Sequence, residues 1–426
     1  NSAMSPSEPS SRSGRLMRWL PWLVGVALLV SMLIWLLPGL ERSPAVDGIE
    51  RETASMLQAL GYAEWTDGKE VDVDTSGVVR FDEERTAPGH NFFTSRSRSP
   101  AVLMGLDGTV VHEWNQPAWE RGKWQHVELQ PDGSVFLILK HEALVKFSWD
   151  SEVLWEAPMN SHHDLDVGPD GRVYVLSQEV RRFPHAGESI PVNDNQIVVL
   201  SPEGEVLKEI SLYPLLEGFV QPGRFEQIAT SQTKHADEGE AYRNGVDALH
   251  TNSVEVLRED LGSIAPAGSL LLSVRNLNLV VIINAEGTEV LWSWGPEDIL
   301  RQHHATALSN GNILLFDNRD GEDWSRVVEV NPATKQVVWE YRGTEEDPFS
   351  SYSRGSSQKL ANGNVLIAES NSGRAIEVTP SGEIVWEYLN PEISLTKMKR
   401  GTFYRMTRIP PGFLEPEVEE RLGSHP

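Results

Sequence analysis

Two short phrases recur along the chain and constrain its fold more than any other feature. The first places an Asp-Gly or Asn-Gly turn before an apolar strand, as QPDGSVFLI (130–138), GPDGRVYVL (168–176), LSNGNILLF (308–316) and LANGNVLIA (360–368). The second is an apolar strand that usually contains tryptophan, as DSEVLWEA (150–157), PEGEVLKEI (202–210), AEGTEVLWSW (285–294), TKQVVWEY (334–341) and SGEIVWEY (381–388). Such repetition indicates an architecture assembled from similar units.

Each unit consists of short strands separated by tight turns, which is the pattern of a β-propeller blade. The period is near 52 residues where no insertion intervenes, as between positions 303 and 355. Five full units and one orphan phrase, LDGTVVHEW (106–114), are present, and FYRMTRIPP (403–411) can complete the orphan blade. The sequence therefore predicts an all-β fold, a six-bladed propeller over residues 90–414 with a tail at 415–426. Residues 213–245 form a long insertion, a candidate lid.

A membrane anchor is predicted before the propeller. Residues 19–40 contain no charged side chain, and this length is sufficient for a transmembrane helix. Arg12, Arg15 and Arg18 precede the segment and Glu41 follows it, so the positive-inside rule places residues 1–18 in the cytoplasm. A cleaved signal peptide is the alternative, although its apolar region is usually shorter. We expect a single-pass protein of the inner membrane, with its propeller in the periplasm or outside the cell.

The segments around the anchor are predicted to be of two kinds. The N-terminal residues 1–18 begin with a stretch rich in Ser and Pro and are expected to be disordered. Residues 41–89 are expected to be a linker, in which positions 49–65 have helical spacing of apolar residues and Gly61 would end the helix.

Charge and cysteine content exclude several kinds of function. Acidic residues outnumber basic ones by 62 to 37, and the net charge of −25 repels phosphate backbones, so nucleic acid is not an expected partner. The chain has no cysteine, which excludes disulfides and cysteine-based metal or redox sites.

Histidines occur where blades begin, just before or within the predicted inner strands. His162-His163, His250 and His303-His304 open three blades, and inner strands line the channel of a propeller. His163 and His303 each lie eight residues before a turn glycine, and the same count from Gly363 reaches Gly355, beside Ser356. Because neighbouring strand residues point to opposite faces, we expect His303 to face the axis and His304 to pack between blades or at the rim.

Two kinds of ligand fit such a cluster. Three imidazoles could bind zinc. However, Arg275 lies on the strand after the one that His250 opens, and a guanidinium beside a metal ion is unfavourable. Arginine with several histidines suits an anionic group with three equatorial oxygens, such as a sulfuryl or phosphoryl group. We therefore predict no metal and no cofactor.

Five phrases together resemble the bacterial arylsulfotransferases, the aryl-sulfate sulfotransferases that do not use PAPS. They are DALHTNSVEV, LLSVRNLN, QHHATALSNGNILLFDN, GSSQKLANGNVLIAES and FYRMTRIPP. The resemblance implies a six-bladed propeller and assigns roles residue by residue. By resemblance, His303 is transiently sulfurylated, His250 and Asn252 are the His-x-Asn pair, Arg275 binds sulfate, and His163 is the remaining active-site histidine. His304 and Ser356 join Asn252 as candidate substrate-binding residues. The usual FDNG of the family reads FDNR here, with Arg319.

The resemblance implies transfer of a sulfuryl group from an aryl sulfate to a phenolic acceptor through a sulfohistidine. The expected partners are therefore aryl sulfates and phenolic small molecules. One alternative is a non-catalytic propeller subunit that contacts proteins of a membrane complex. Another is a quinoprotein-like dehydrogenase, suggested by the tryptophan-containing strands, although such proteins usually have eight blades.

The anchor hypothesis predicts that the protein sediments with membranes and is digested by protease added outside spheroplasts. Deleting residues 19–40 should release it, because that segment supplies the apolar length needed for insertion. A mature N-terminus mapped downstream of Leu40 would contradict the anchor and favour a cleaved signal.

Overall fold

Antiparallel strands are the main secondary structure of the described chain. The computed structural model describes residues 72, 74–95, 101–116, 124–185, 187–221, 223–235, 245–394 and 399–423, which belong to the unit Gly61–Pro426. Their strands form six blades around a channel, which confirms the predicted six-bladed β-propeller. No helix among these residues is long and apolar enough to span a membrane. The predicted anchor at 19–40 and linker helix at 49–65 lie outside them.

The strands are numbered in chain order and grouped by blade. Blade 1 contains β2 (His90–Ser95), β3 (Ala101–Met104), β4 (Val110–Trp114) and β27 (Phe403–Ile409). Blade 2 contains β5 (Trp124–Leu129), β6 (Val135–Leu139), β7 (Ala143–Phe147) and β8 (Val153–Pro158). Blade 3 contains β9 (Ser161–Val167), β10 (Val173–His185), β11 (Glu188–Leu200) and β12 (Val206–Ser211).

The remaining blades follow the same plan. Blade 4 contains β13 (Thr251–Val256), β14 (Leu270–Val274), β15 (Leu279–Ile283) and β16 (Val290–Trp294). Blade 5 contains β17 (His303–Ala307), β18 (Ile313–Asp317), β19 (Arg326–Asn331) and β20 (Gln336–Tyr341). Blade 6 contains β21 (Ser356–Lys359), β22 (Val365–Glu369), β23 (Arg374–Val378) and β24 (Ile384–Leu389), extended by β1 (Gly77–Phe81). A small hairpin pairs β25 (Ile393–Ser394) with β26 (Lys399–Arg400).

The ring closes through both ends of the described chain. Strand β27 completes the first blade as predicted, but it pairs with β2 rather than directly with residues 101–114. Strand β1 lies before position 90, in the predicted linker, and adds a fifth strand to blade 6 by pairing with β24. Arg408 of β27 reinforces the junction, because its guanidinium contacts Asn91 of β2 at 2.8 Å and Glu377 of β23 at 3.0 Å.

Apolar side chains are buried between blades rather than at the centre of the ring. Six hydrophobic clusters occupy the six junctions, one for each pair of neighbouring blades. The inner strands β27, β5, β9, β13, β17 and β21 contact one another in that order. Because the apolar cores lie between the sheets, the side chains along the axis can be polar.

A side chain near the middle of the fourth strand of each blade donates a hydrogen bond that joins the blade to the next. We refer to these six contacts as the rim clasp. They run from His112 to Trp149 O (2.9 Å), Trp155 to Pro202 O (3.1 Å), Lys208 to Glu286 O (2.8 Å), Trp292 to Pro332 O (2.9 Å), Trp339 to Pro380 O (2.9 Å) and Trp386 to Leu106 O (2.8 Å). The recurring tryptophans thus have a structural role in the rim clasp.

Helices lie at two places in the propeller. The insertion in blade 3 contains α1 (Tyr213–Leu216) and α2 (Arg224–His235), and α3 (Pro416–Gly423) lies in the predicted tail. Of three short 3₁₀ turns, Glu217–Phe219 follows α1, whereas Arg275–Leu277 follows β14 and Ser370–Ser372 follows β22. Phe225 of α2 stacks on His185 at the end of β10, with ring centroids 4.4 Å apart. The insertion therefore packs on the long β10–β11 hairpin.

Deletion of residues 400–426 should abolish the cooperative thermal transition, because removing β27 opens the ring and exposes the edge of β2. Removal of residues 72–81 is the matched control. It takes away only the outermost strand of blade 6 and should lower the melting temperature while the transition stays cooperative. A native transition in the C-terminal truncation, measured by calorimetry, would refute this account of closure.

Candidate active site

Three blades bring histidines together at the end of the channel where the inner strands begin. His163 lies on β9, His250 precedes β13, and His303 is the first residue of β17. The rings of His163 and His250 lie 4.9 Å apart in an edge-to-face arrangement. Arg275 follows β14, and its backbone N–H donates to the carbonyl of His250 at 3.2 Å. The four predicted catalytic residues therefore occupy one site.

The backbone at this site is unusual. Nine non-glycine residues of the described chain have positive φ angles, and six of them belong to or adjoin the site: His141, His163, His250, Arg301, His304 and Arg319. Such angles are uncommon outside glycine and cluster at functional sites. The count from the turn glycines pairs His163 with His303. In the structure, the left-handed conformation of His163 (φ 58°) is shared by His304 (φ 50°) instead, so the count does not predict which residues have equivalent backbone conformations.

His303 is held by a single well-defined hydrogen bond. Its Nδ1 lies 2.6 Å from Oδ1 of Asn318, and the side-chain amide of Asn318 donates to the carbonyls of Ser351 and Arg354 at 2.5 and 2.7 Å. Because that amide orientation is fixed, Oδ1 must accept, and Nδ1 of His303 must carry the proton. The lone pair of the ring therefore resides on Nε2. Burial, followed by the charge of Arg275, holds the pKa of His303 well below its usual value and keeps the ring neutral.

His250 is paired with a carboxylate. Its Nδ1 lies 2.5 Å from Oδ2 of Asp247, and its backbone N–H donates to Oδ1 of the same residue at 3.1 Å. Burial alone would raise the pKa of Asp247, but the charge and hydrogen bond of His250 lower it overall. The carboxylate therefore stays ionised and fixes the imidazole orientation, as in other His–carboxylate pairs.

His163 has a different environment. Its Nδ1 lies 2.7 Å from Nδ1 of His162, so one ring donates to the other. Burial is the main cause that lowers the pKa of His162 to about 3 and that of His163 well below its usual value. Both rings are therefore neutral near pH 7 and serve as hydrogen-bonding groups rather than as proton carriers.

The predicted substrate-binding residues lie around the same end of the channel. The amide of Asn252 donates to the carbonyl of Gln302 at 2.8 Å, so it ties blade 4 to the residue before His303. Nδ1 of His304 accepts a hydrogen bond from the backbone N–H of Ser357 at 3.2 Å, which places this ring between blades 5 and 6. Ser356 opens β21, and its buried hydroxyl has no hydrogen-bond partner within the described chain.

Three contributors were missed at the sequence level. Asn318 belongs to the FDN phrase and Asp247 to DALH, but neither was considered as a partner of a histidine. Arg405 lies in FYRMTRIPP, which predicts a closing strand and contributes to the family resemblance, but which assigns no role to the arginine. Its guanidinium is ion-paired with Asp164 at 2.6 Å. Its charge contributes to the lowered pKa values of His303 and His304, after burial.

Fold and site together define a β-propeller that concentrates imidazole and guanidinium groups at one end of its channel, a class of site suited to an oxyanion. No group of three or more metal-ligating side chains with a suitable arrangement occurs in the described parts of the chain. A family model described as arylsulfotransferase (ASST) matches residues 129–391. This range covers more than half of the 426 residues, so the chain belongs to the arylsulfotransferase family.

Comparisons with individual proteins add less. No curated protein matches the chain. A protein of unknown function from Bacteroides caccae is 15% identical, with a TM-score of 0.48, over 75% of this chain and 98% of its own. A virginiamycin B lyase from Staphylococcus aureus is 11% identical, with a TM-score of 0.41, over 74% of this chain and 88% of its own. Apo AztD from Citrobacter koseri is 9% identical, with a TM-score of 0.41, over 76% of this chain and 98% of its own.

The FDNR departure has a structural consequence. Arg319 stands where the family usually has glycine, and its φ is 54°. This left-handed conformation favours glycine and is strained for other residues. The arginine side chain leaves the site, since it bonds to Glu322 at 2.5 Å and lies over Trp324, 4.9 Å from the ring.

Acidification should destabilise the fold. Burial lowers the pKa of five histidines in and near the site: His126, His162 (both to about 3), His163, His303 and His304. In the unfolded chain each titrates near ~6.5, so the unfolded state binds more protons below that pH. Each histidine therefore lowers the free energy of unfolding by about 1.4 kcal/mol for each pH unit below ~6.5.

Buried carboxyl groups oppose this trend. Burial raises the pKa of Glu128 to about 7 and of Glu255 to about 8, and it also raises the pKa of Asp164, Asp194, Asp317 and Glu369, so these groups favour the folded state on acidification. The five histidines outnumber the two glutamates whose pKa is raised to about 7 or 8, and the melting temperature should fall from pH 6.5 to 5. The variant His126→Asn should show a shallower fall. A melting temperature that is constant or rises over this range would contradict the neutral-histidine assignment.

Proposed function

We propose that this protein transfers a sulfuryl group from an aryl sulfate to a phenolic acceptor and that His303 carries the group covalently. Family membership supports arylsulfotransferase-like chemistry. The observation that carries the finer assignment is the hydrogen bond from His303 Nδ1–H to Asn318, which leaves Nε2 as an available nucleophile. Arg275 is the largest charged influence on that ring and can hold the sulfuryl oxygens.

The first half-reaction forms the sulfohistidine. Nε2 of His303 forms a bond to sulfur while the bond from sulfur to the phenolic oxygen breaks, and its electron pair leaves with the phenolate. The ring gains positive charge as the bond forms. Asn318 stabilises that charge, because its carbonyl oxygen accepts the hydrogen bond from Nδ1–H. Phenols have a pKa near ~10, so the leaving group needs only modest assistance.

His250 is the better candidate for proton transfer. The carboxylate of Asp247 bonds to its Nδ1 and can stabilise the positive charge that develops on the ring during proton transfer, whereas His163 is held neutral. The side chain of His250 is 21% exposed, which gives it access to substrate and solvent. In our proposal, His250 protonates the departing phenolate. It then accepts the proton of the incoming phenol, whose oxygen attacks sulfur as the N–S bond breaks and its electron pair returns to Nε2.

The proposed location follows from the sequence. Residues 19–40 are uncharged and follow three arginines, which supports an inner-membrane anchor with the propeller outside the cytoplasm. In that setting α2 of the insertion would limit access of water to the sulfohistidine, since its first residue, Arg224, bonds to Asn276 beside Arg275.

Separate substitution of His303 and His304 tests which of the two histidines carries the sulfuryl group. His303→Asn should abolish transfer from a chromogenic aryl sulfate to a phenol without PAPS, a loss of many powers of ten, because no other group forms the covalent intermediate. His304→Asn is the matched control and should reduce activity and stability only modestly. Mass spectrometry after mixing with donor alone should find a labile sulfuryl group on the peptide that contains His303.

Two outcomes would overturn the assignment. If His303→Asn retains wild-type transfer, another residue carries the group. If the wild-type protein transfers no sulfuryl group from any tested aryl sulfate, a non-catalytic propeller that contacts protein partners in a membrane complex becomes the better hypothesis.

A further inference from the structure

Three arginines converge on one neutral residue beside the proposed site. Oδ1 of Asn276 accepts hydrogen bonds from both Arg275, at 3.3 Å, and Arg301. The backbone carbonyl of Asn276 accepts two more from Arg224, at 3.3 and 3.4 Å. The amide nitrogen of Asn276 is itself bonded to the carbonyl of Asp247. Two guanidinium groups that share one amide oxygen are held close together without an intervening anion.

The charges of this cluster are incompletely balanced. Within the described parts of the chain, Asp320 is the one carboxylate that bonds to any of the three guanidinium groups, through Arg275 at 3.3 Å. Asp247 also lies near, but it is bonded to His250. Burial, and then the charges of Arg275 and Arg224, lower the pKa of Arg301 to about 9. Such an excess of cationic groups, in a chain of net charge −25, indicates a place for an anion.

Arg275 links this cluster to the histidines. Its backbone N–H donates to the carbonyl of His250, and among charged groups it has the largest effect on the pKa of His303. Arg224 begins α2 of the insertion. The backbone of Arg301 is fixed in a left-handed conformation, with φ of 59°, and its N–H donates to Asn278 at 3.0 Å. Arg275 therefore connects the proposed sulfuryl site to Arg301 and Arg224 through their shared contacts with Asn276.

We propose that Arg301 and Arg224 form a second anion subsite, which binds a carboxylate or similar anionic substituent on the phenolic partner. This inference rests on the proposed function, in which Arg275 holds the sulfuryl group. The departing and accepting phenols occupy the same pocket in turn. The subsite should therefore favour anionic phenols both as acceptors and, in their sulfated form, as donors.

Kinetic discrimination tests the subsite. With 4-nitrophenyl sulfate as donor, the ratio of kcat/KM for 4-hydroxybenzoate to that for the neutral 4-hydroxybenzamide should exceed about tenfold in the wild type. Arg301→Gln and Arg224→Gln should each lower this ratio by about tenfold or more, and Arg301→Lys should restore part of it. Arg182→Gln, at an exposed arginine of the β10–β11 hairpin, removes the same charge elsewhere and should leave the ratio unchanged. Equal losses with both phenols would mean that these arginines serve the sulfuryl group, and the subsite would be refuted.

Binding of phenols measured without a sulfuryl donor distinguishes the anion subsite from the proposed transfer function. Titration calorimetry should show tighter binding of 4-hydroxybenzoate than of 4-hydroxybenzamide to the wild-type protein, and Arg301→Gln should abolish the difference. If that difference is present but no aryl sulfate supports transfer, the subsite stands and the proposed function fails. If transfer occurs but the wild type binds both phenols equally, the function stands and the subsite fails.

Discussion

The rim clasp is the interaction on which the arrangement of the blades depends. A side chain near the middle of the fourth strand of every blade reaches the turn of the next blade, whether that side chain is Trp, Lys or His. A single hydrogen bond of this kind contributes only about 0.5–1.5 kcal/mol. Repeated at all six junctions, it sets the spacing of the outer edges while the apolar clusters fill the space between the sheets. The inner strands then have little freedom, and their first residues meet at the axis.

The separation of the apolar clusters from the channel axis explains how so many polar groups can be buried together. The apolar cores do not require the axial positions, so histidine and arginine can occupy them. Each axial charge is nevertheless costly unless it is paired. Asp164 compensates Arg405, and Asp247 is bonded to His250. His303 needs no counterion because it is neutral, and its amide partner serves to select one tautomer. The left-handed backbone at His163, His250 and His304 is a further cost, which the surrounding sheets sustain.

The repeats made the fold predictable, because each phrase reports a turn and the strand that follows. Strand β1 has no such turn phrase, and it becomes a strand only because blade 6 presents a free outer edge. At the site, the histidines were predictable from their positions at the starts of blades, and Arg275 from the LLSVRNLN phrase that follows in the same blade. The alignment of His163 with His303 by counting failed at the backbone because the ladders are irregular at both positions. The sequence does not indicate the roles of Asn318, Asp247 and Arg405, because their contacts depend on how the strands are placed in three dimensions.

The order in which the chain is synthesised means that the closing strand also determines when the site is completed. Domains generally fold from the N-terminus during synthesis, and β27 is the last strand of the ring to leave the ribosome. Blades 2 to 5 can be assembled before it, but Arg405 reaches the axis only with that strand. The histidines of blades 3, 4 and 5 are therefore without one of their cationic neighbours throughout elongation. Ring closure and completion of the candidate site are one event, so a truncated translation product lacks the complete set of axial side chains.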